Sequence, residues 1–239
     1  MSWLSSRRIA EPELMDDGAE VAAYASAAAA PHLAALDRSF VDHVERLIGR
    51  RPANELRGRA LDFGCGPGQI PILMARRWPA LRFVGIDAGA RMIEQARASA
   101  TDAGADVDFR VWRLGPDGEA TLPFPDASFD LVTCNSVLHH LADPLGALNE
   151  IARVATPAGA VLVRDLVRPP TLVRPLHVRL FGRHYHGEMR RLYEASVDAA
   201  YTAGELRMML ARSRLNDGRS RIFERGRTHA GIERPSQSD

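Results

Sequence analysis

A chain of 239 residues that is 46% hydrophobic can bury one substantial α/β core, with room for a cap or at most two small domains. A formal net charge of +1 gives bulk electrostatics no preference for nucleic acid or a membrane surface. All 31 basic side chains other than histidine are arginine, which excludes a Schiff-base lysine or a phosphate-loop lysine. Two cysteines, Cys65 and Cys134, are too few for a disulfide framework, and a reduced, cytoplasmic setting is expected. No apolar run reaches membrane-spanning length, and Met1 to Arg8 lack the apolar core of a secretory signal.

Residues 1–16 read as an irregular arm. The alanine-rich stretch from Ala19 to Ala30, with Tyr24 inside it, predicts a helix that Pro31 ends or restarts. Phe40, Val41, Val44, Leu47 and Ile48 follow helical spacing and predict a second helix stopping near Gly49. Residues 1–50 are therefore expected to form a helical lid, and residues 51–239 the main domain. A strand–helix alternation begins there. Strands are predicted over Arg59–Phe63, Leu81–Ile86, Val107–Trp112, Phe129–Cys134 and Ala160–Val163. Helices are predicted from Ile70 to Trp78, around Met92–Ala96 up to Gly104, and from the Asp143-Pro144 start to Val154. Pro157-Ala158-Gly159 reads as a turn. This alternation implies a parallel sheet with helices on both faces, and ligands bind at the carboxyl edge where strand order reverses. Residues 166–200 break the pattern and read as a cap insertion. Thr202 and Glu205 form a capping box for a further helix. After Asn216-Asp217-Gly218 a hairpin is expected, over Arg219–Phe223 and Thr228–Ile232.

The turn after the first strand is Asp62-Phe63-Gly64-Cys65-Gly66-Pro67-Gly68. Glycine permits positive φ and close approach of backbone to a ligand. The helix behind it offers unpaired N–H groups that would welcome a carboxylate or phosphate. Asp87 ends the next strand about 20 residues on, the separation expected of an acid that binds ribose hydroxyls; its other reading is a helix cap. Two ligand classes remain, a dinucleotide and S-adenosylmethionine. The dinucleotide fingerprint fails, because its third glycine, counted from Gly64, falls on Gln69. Asp62 would also repel a pyrophosphate, yet suits a ligand carrying an ammonium and a sulfonium.

These residues resemble the class I S-adenosylmethionine-dependent methyltransferases over roughly Arg59 to Asp165. Ala60 to Gly68 look like the family's first motif, and Phe83-Val84-Gly85-Ile86-Asp87 like its second strand and ribose-binding acid. Leu122 to Val132 is similar to the segment leading into the fourth strand. Asn135 to Leu141 and Glu150-Ile151-Ala152-Arg153-Val154 match the segments beyond that strand in small-molecule members. The resemblance implies a Rossmann-like seven-stranded, mostly parallel sheet with the last strand antiparallel, helices on both faces, and an N-terminal plus inserted helical cap. It implies S-adenosylmethionine as cofactor. Asp62, Gly64, Cys65, Gly66 and Gly68 would lie along its methionine part, Asp87 and Ala88 by the ribose, Met92 against adenine, and Asn135 near the transferring methyl. The aspartate that many relatives place after the third strand is replaced in register by Gly118, leaving Asp117 as a shifted candidate for the adenine amino group.

Methyl transfer needs alignment and dryness more than strong acids or bases, because the leaving group is already excellent. An oxygen or protonated nitrogen nucleophile needs a base. His139 and His140 follow the fourth strand and are the catalytic candidates, of which at most one is expected to face the acceptor. Asp165 ends the fifth strand and is a further candidate base or a loop cap. Arg168, Arg174, Arg179, Arg183 and Arg190 read either as recognition of an anionic acceptor or as a solvated face balanced by Glu188 and Glu194. The pair His184-x-His186 lacks further ligands, so no metal site is expected. The expected partner is a small-molecule acceptor, with neither nucleic acid nor membrane. The rival readings are an RNA methyltransferase and a nicotinamide-dependent oxidoreductase.

Overall fold

The computed structural model describes residues 7–11, 18, 21, 31–49, 56–113 and 121–237. Most of the expected first helix, with Tyr24, and the adenine candidate Asp117 lie outside the described residues. The described elements run α1 (Pro31–Ile48), β1 (Gly58–Phe63), α2 (Gln69–Arg77), β2 (Leu81–Asp87), α3 (Ala90–Ala103), β3 (Val107–Val111), β4 (Phe129–Asn135), a 3-10 turn (Leu138–His140), α4 (Pro144–Val154) and β5 (Ala155–Leu166). They continue with α5 (Arg174–Phe181), a second 3-10 turn (Gly182–His184), α6 (Gly187–Ala199), α7 (Ala203–Arg212), β6 (Arg221–Arg225) and β7 (His229–Arg234).

The strands form one seven-stranded sheet in the order β3-β2-β1-β4-β5-β7-β6. β1 to β5 are mutually parallel, and β7 runs antiparallel to both β5 and β6. This is the Rossmann-like sheet expected, with the last strand antiparallel. Strand order reverses between β1 and β4, and the glycine turn follows β1 at that point.

Alternation along the strands builds two layers. Ala60, Phe83, Leu131, Ala160 and Leu162 face α1 and α2, where Phe40, Val44, Met74 and Trp78 are buried. Leu61, Phe63, Val84, Val132, Val161 and Val163 face the other way, onto Leu148 and Ile151 of α4 and Leu206 and Leu210 of α7. The same parity sends neighbouring side chains at the site to opposite layers. Asp62 points as Ala60 does, and Arg164 as Leu162 does, whereas Asp165 points as Val163 does. The last turns of α1 are part of the first layer, since Phe40 and Val44 are fully buried.

Two boundaries depart from the expectation. β5 is twelve residues long, not four, and the expected Pro157–Gly159 turn lies inside it. The register shifts there, with Phe129 opposite Ala155 and Leu131 opposite Ala160. Carbonyls freed by the irregularity are taken up by Arg234, which donates to Thr156 O at 2.9 Å and Gly159 O at 3.2 Å. The hairpin strands start later than expected because the Asp217 carboxylate accepts the N–H groups of Arg219 and Ser220, both at 3.0 Å, and extends the turn. The cap insertion folds as α5 and α6 around Val178, Tyr193 and Val197. Among the described residues no helix is long and apolar enough to cross a membrane.

Candidate active site

The carboxyl ends of β1, β2 and β4 open onto a cavity of about 340 Å³, within the roughly 300–1,000 Å³ typical of small-molecule sites. Asp62, Gly64, Cys65, Gly66, Asp87, Ala88, Met92, Asn135 and His140 all line it. Residues more than seventy apart in the chain are thus brought together as expected. Gly68 stands behind the lining. It takes φ 87° at the start of α2, and a Cβ there would come within 2.8 Å of the Phe109 ring. Gly64 has φ 71°, and a Cβ on it would overlap the Val137 side chain. Both positions require glycine for a backbone reason.

The amides of the turn itself, as distinct from the first turn of α2 behind it, are taken up within the protein. Gly64 and Cys65 both donate to Ile86 O, at 2.8 and 2.9 Å, and Gly68 donates to Cys65 O at 3.0 Å. Gly66 donates to the Asp87 carboxylate at 2.9 Å. Pro67 has no N–H. The turn itself therefore has no spare N–H group for a pyrophosphate.

Three carboxylates line the same cavity: Asp37 from α1, Asp62 from β1 and Asp87 from β2. Asp62 is buried and accepts the Thr133 hydroxyl at 2.6 Å. Burial pushes its carboxyl up to about 7 against that hydrogen bond, and the charges of Asp87 and Asp37 act in the same direction as burial. Burial likewise pushes Asp37 up to about 6, opposed by Arg164 and Arg38. Asp87 is braced by the N–H groups of Gly66 and Gly89, each at 2.9 Å. Burial, then Asp62 and Asp87, hold the Cys65 thiol well above its ordinary value, so it lines the wall as a neutral group. A positively charged ligand would relieve this crowding of negative charge.

A second cavity of about 190 Å³ adjoins the first. Leu33, Asp37, Asn135 and Ser136 line both. Its other walls come from the cap, with Phe181, Tyr185, Met189 and Tyr193, and from His139, Arg164 and His229. Burial pushes His229 down to about 3, so it is neutral.

The two adjacent histidines diverge: His140 lines the first cavity and His139 the second. His139 is 1% exposed. Its backbone N–H donates to Asp165 Oδ2 at 3.1 Å, and its ring Nδ1 meets Asp165 Oδ1 at 2.6 Å. Burial alone would lower His139, but the charge and hydrogen bond of Asp165 reverse this and raise it. Burial alone would raise Asp165, and the charge and hydrogen bond of His139 bring it below its ordinary value. Asp165 also accepts the Leu166 N–H at 2.7 Å, so it is the brace of the histidine turn and not an open base.

The arginines of residues 166–200 are largely paired. Arg168 donates to Glu205 at 2.7 Å, Arg174 grips Asp198 with two bonds of 2.5 and 2.6 Å, and Arg190 donates to Glu194 at 2.5 Å. Arg191 donates to Glu188. The solvated, charge-balanced reading fits these four. Sequence reasoning missed Asp37, Leu33, Trp112 and Arg113 in the cavity wall. Asp37 and Leu33 carry no motif, and only their four-residue spacing on one face of α1 could have paired them. Trp112 and Arg113 lie just past the end of β3, the position from which a ligand at the sheet edge is reached.

A family model described as "Methyltransferase domain" matches residues 61–163. A ubiquinone biosynthesis O-methyltransferase of Hahella chejuensis is 34% identical over 131 residues, 55% of this chain and 49% of that protein. A trans-aconitate 2-methyltransferase of Escherichia coli is 31% identical over 133 residues, 55% of this chain and 47% of that protein. The chain spans about half the length of the curated relatives it matches. The crystal structure of a SAM dependent methyltransferase from Aquifex aeolicus superposes with a TM-score of 0.56 at 19% identity, covering 81% of this chain and 87% of that one, which bears on the fold. Residues 61–163, from within β1 to near the end of β5, thus carry the methyltransferase-domain match, in a fold shared with S-adenosylmethionine-dependent methyltransferases.

Proposed function

We propose that this chain transfers a methyl group from S-adenosylmethionine to an oxygen, nitrogen, carbon or sulfur nucleophile of a small-molecule acceptor, by in-line displacement. The observation that carries this reading is the set of three carboxylates, Asp37, Asp62 and Asp87, facing one cavity beside a turn with no amides to spare. S-adenosylmethionine supplies a methyl group already activated by a positively charged sulfur. The chain's part is to hold, orient and dehydrate. In this reading the Gly64–Gly66 backbone and Asp62 lie along the methionine moiety. Asp87 and Ala88 hold the ribose, and Met92 packs on adenine. Gly68 shapes the turn from behind. Asn135, which lines both cavities, stands where the methyl crosses. Proton removal from the acceptor is assigned to the His139–His140 turn.

The second cavity is the acceptor's place in this reading, and its size and aromatic walls suit a small molecule. Arg164 is the guanidinium among its described lining residues, and an anionic group on the acceptor would be drawn by its charge, since its Nε and terminal nitrogens already donate to Asn135, Leu36 and Ser39. The curated relatives named for ubiquinone biosynthesis and trans-aconitate support a small-molecule acceptor over RNA. Calorimetry with S-adenosylmethionine, S-adenosylhomocysteine and NAD tests the cofactor. Micromolar binding of the first two and none of NAD is expected, and binding of NAD alone refutes the reading. Asp87→Ala should weaken S-adenosylhomocysteine at least about tenfold, the loss of a charge-assisted hydrogen-bond pair. A labelled methyl donor incubated with a metabolite extract would then identify the acceptor.

A further inference from the structure

The outward nitrogen of the histidine turn can take a ligand other than a proton. Asp165 engages Nδ1 of His139 at 2.6 Å, which leaves Nε2 as the outward atom of the ring. That atom is buried and has no hydrogen-bond partner. It faces Glu11 Oε2 at 3.7 Å, beyond hydrogen-bond reach. Nδ1 of His140 faces the same carboxylate oxygen at 3.9 Å. The ligand atoms of Glu11, His139 and His140 all lie within 4.8 Å of one another. Two ligands of one zinc ion, each about 2.0–2.1 Å from it, stand roughly 3.3–3.4 Å apart at the tetrahedral angle. The Glu11 oxygen is within about 0.6 Å of that spacing from both nitrogens, and the two rings, no more than 4.8 Å apart at those atoms, have at most about 1.5 Å to close by side-chain rotation.

We propose that Glu11, His139 and His140 form a site for a divalent transition-metal ion of the zinc class. Two imidazoles and one carboxylate are a donor set suited to zinc, and they leave a fourth coordination position. The carboxylate behind a ligating histidine is the usual device that fixes its tautomer and ring orientation, and Asp165 stands in that place. Local charge is compatible with a dication. Glu11 and Asp165 supply two negative charges, and Arg8, which donates to His139 O at 2.7 Å, supplies one positive charge at the back of the turn. Sequence spacing hides the set, because Glu11 lies in the N-terminal arm, far from the two histidines. The ion would tie that arm to the turn between the two cavities. Its role, though not its binding, rests on the methyl-transfer reading: a positive charge there would stabilise the anion left when the acceptor loses its proton, and that proton would leave through Nε2 of His140, both ring nitrogens of His139 being engaged.

The test uses untagged full-length protein, stripped with chelator and titrated with zinc chloride by calorimetry, with metal content read by emission spectroscopy after free ion is removed. The expected result is one zinc per chain, falling below about a tenth of an equivalent in His139→Ala and in Glu11→Gln. Asp165→Asn should weaken zinc about 10- to 100-fold. His184→Ala, in the other histidine pair, should leave uptake unchanged. No stoichiometric uptake by the parent protein overturns the proposal. So does uptake that Glu11→Gln and His139→Ala leave intact, or uptake lost with His184→Ala. Glu11→Gln is isosteric and keeps the test open should the His139 variant misfold. S-adenosylhomocysteine titrated into the same samples reads the other cavity. Nucleoside binding without zinc defeats only this proposal, and zinc without nucleoside binding defeats only the methyl-transfer reading.

Discussion

Asp62 sits under the sheet edge with one hydroxyl partner and two like charges nearby, and its carboxyl is pushed up to about 7. A cationic ligand favours the ionised form, so binding and deprotonation are coupled. Affinity for S-adenosylmethionine should therefore rise with pH, by up to about tenfold per unit below 7, and level off near pH 8. Asp62→Asn should flatten that slope while lowering affinity at pH 8, measured by calorimetry across pH 5.5 to 8.5; an unchanged slope would remove Asp62 from the ligand's surroundings. For the ligand-free protein the sign is opposite. A carboxyl raised above its unfolded value stabilises the fold most at low pH, and that contribution is lost as pH rises through about 7. Asp62, Asp87 and Asn135 were legible in the sequence because each ends or follows a strand within a spaced motif. Asp37 and Glu11 were not, since they reach the site from helix and arm residues that carry no local signature.

Capping chemistry was the most readable part of the elements. The capping box at Thr202 is present in full, with Thr202 Oγ1 accepting the Glu205 N–H at 3.2 Å and Glu205 accepting the Thr202 N–H at 2.7 Å. Glu205 also pairs with Arg168, and so joins the start of α7 to the stretch after β5. Thr202→Ala should cost about 0.5–2 kcal/mol, read as a shift in urea midpoint at constant slope. A shift near zero would mean that Arg168 alone holds Glu205. The Asp143 cap with Pro144 behind it was equally plain, and its carboxylate accepts the Gly146 N–H at 2.9 Å. The length of β5 was not legible. Pro157 and Gly159 are turn residues by any local rule, and distant donors keep them in the sheet: Arg234 on Thr156 O and Gly159 O, Arg219 on Pro157 O, and the Gln237 N–H on Ala158 O. Tertiary contacts overrode propensity there.

On the scale of the whole molecule, α1 closes over the sheet edge, tied down by His43, which meets Glu233 Oε2 of β7 at 2.5 Å, and by Arg164. Arg164 is 2% exposed, at the carboxyl end of β5. Its Nε donates to Asn135 Oδ1 at 2.8 Å, and its terminal nitrogens reach Leu36 O at 3.3 Å and Ser39 Oγ at 3.2 Å, with Phe40 under the guanidinium. Those contacts hold α1 where Leu33 and Asp37 meet both cavities, and they orient the Asn135 amide. The alternation that turns Arg164 toward α1 and Asp165 toward His139 was implicit in the strand, but the helix it grips could be placed only by the fold. Arg164→Met keeps much of the volume and removes the donors. Leaving Asn135 Oδ1 and Leu36 O without their partner should destabilise the protein by at least about 3 kcal/mol. The tie also carries the cofactor wall, so S-adenosylhomocysteine affinity should fall further than in Thr202→Ala, whose helix lies on the opposite face. Titration of both variants well below their melting temperatures separates the two effects. Equal affinities would mean that the apolar contacts of Phe40 and Val44, with the His43–Glu233 pair, suffice to hold α1 in place, and that the first cavity does not depend on Arg164.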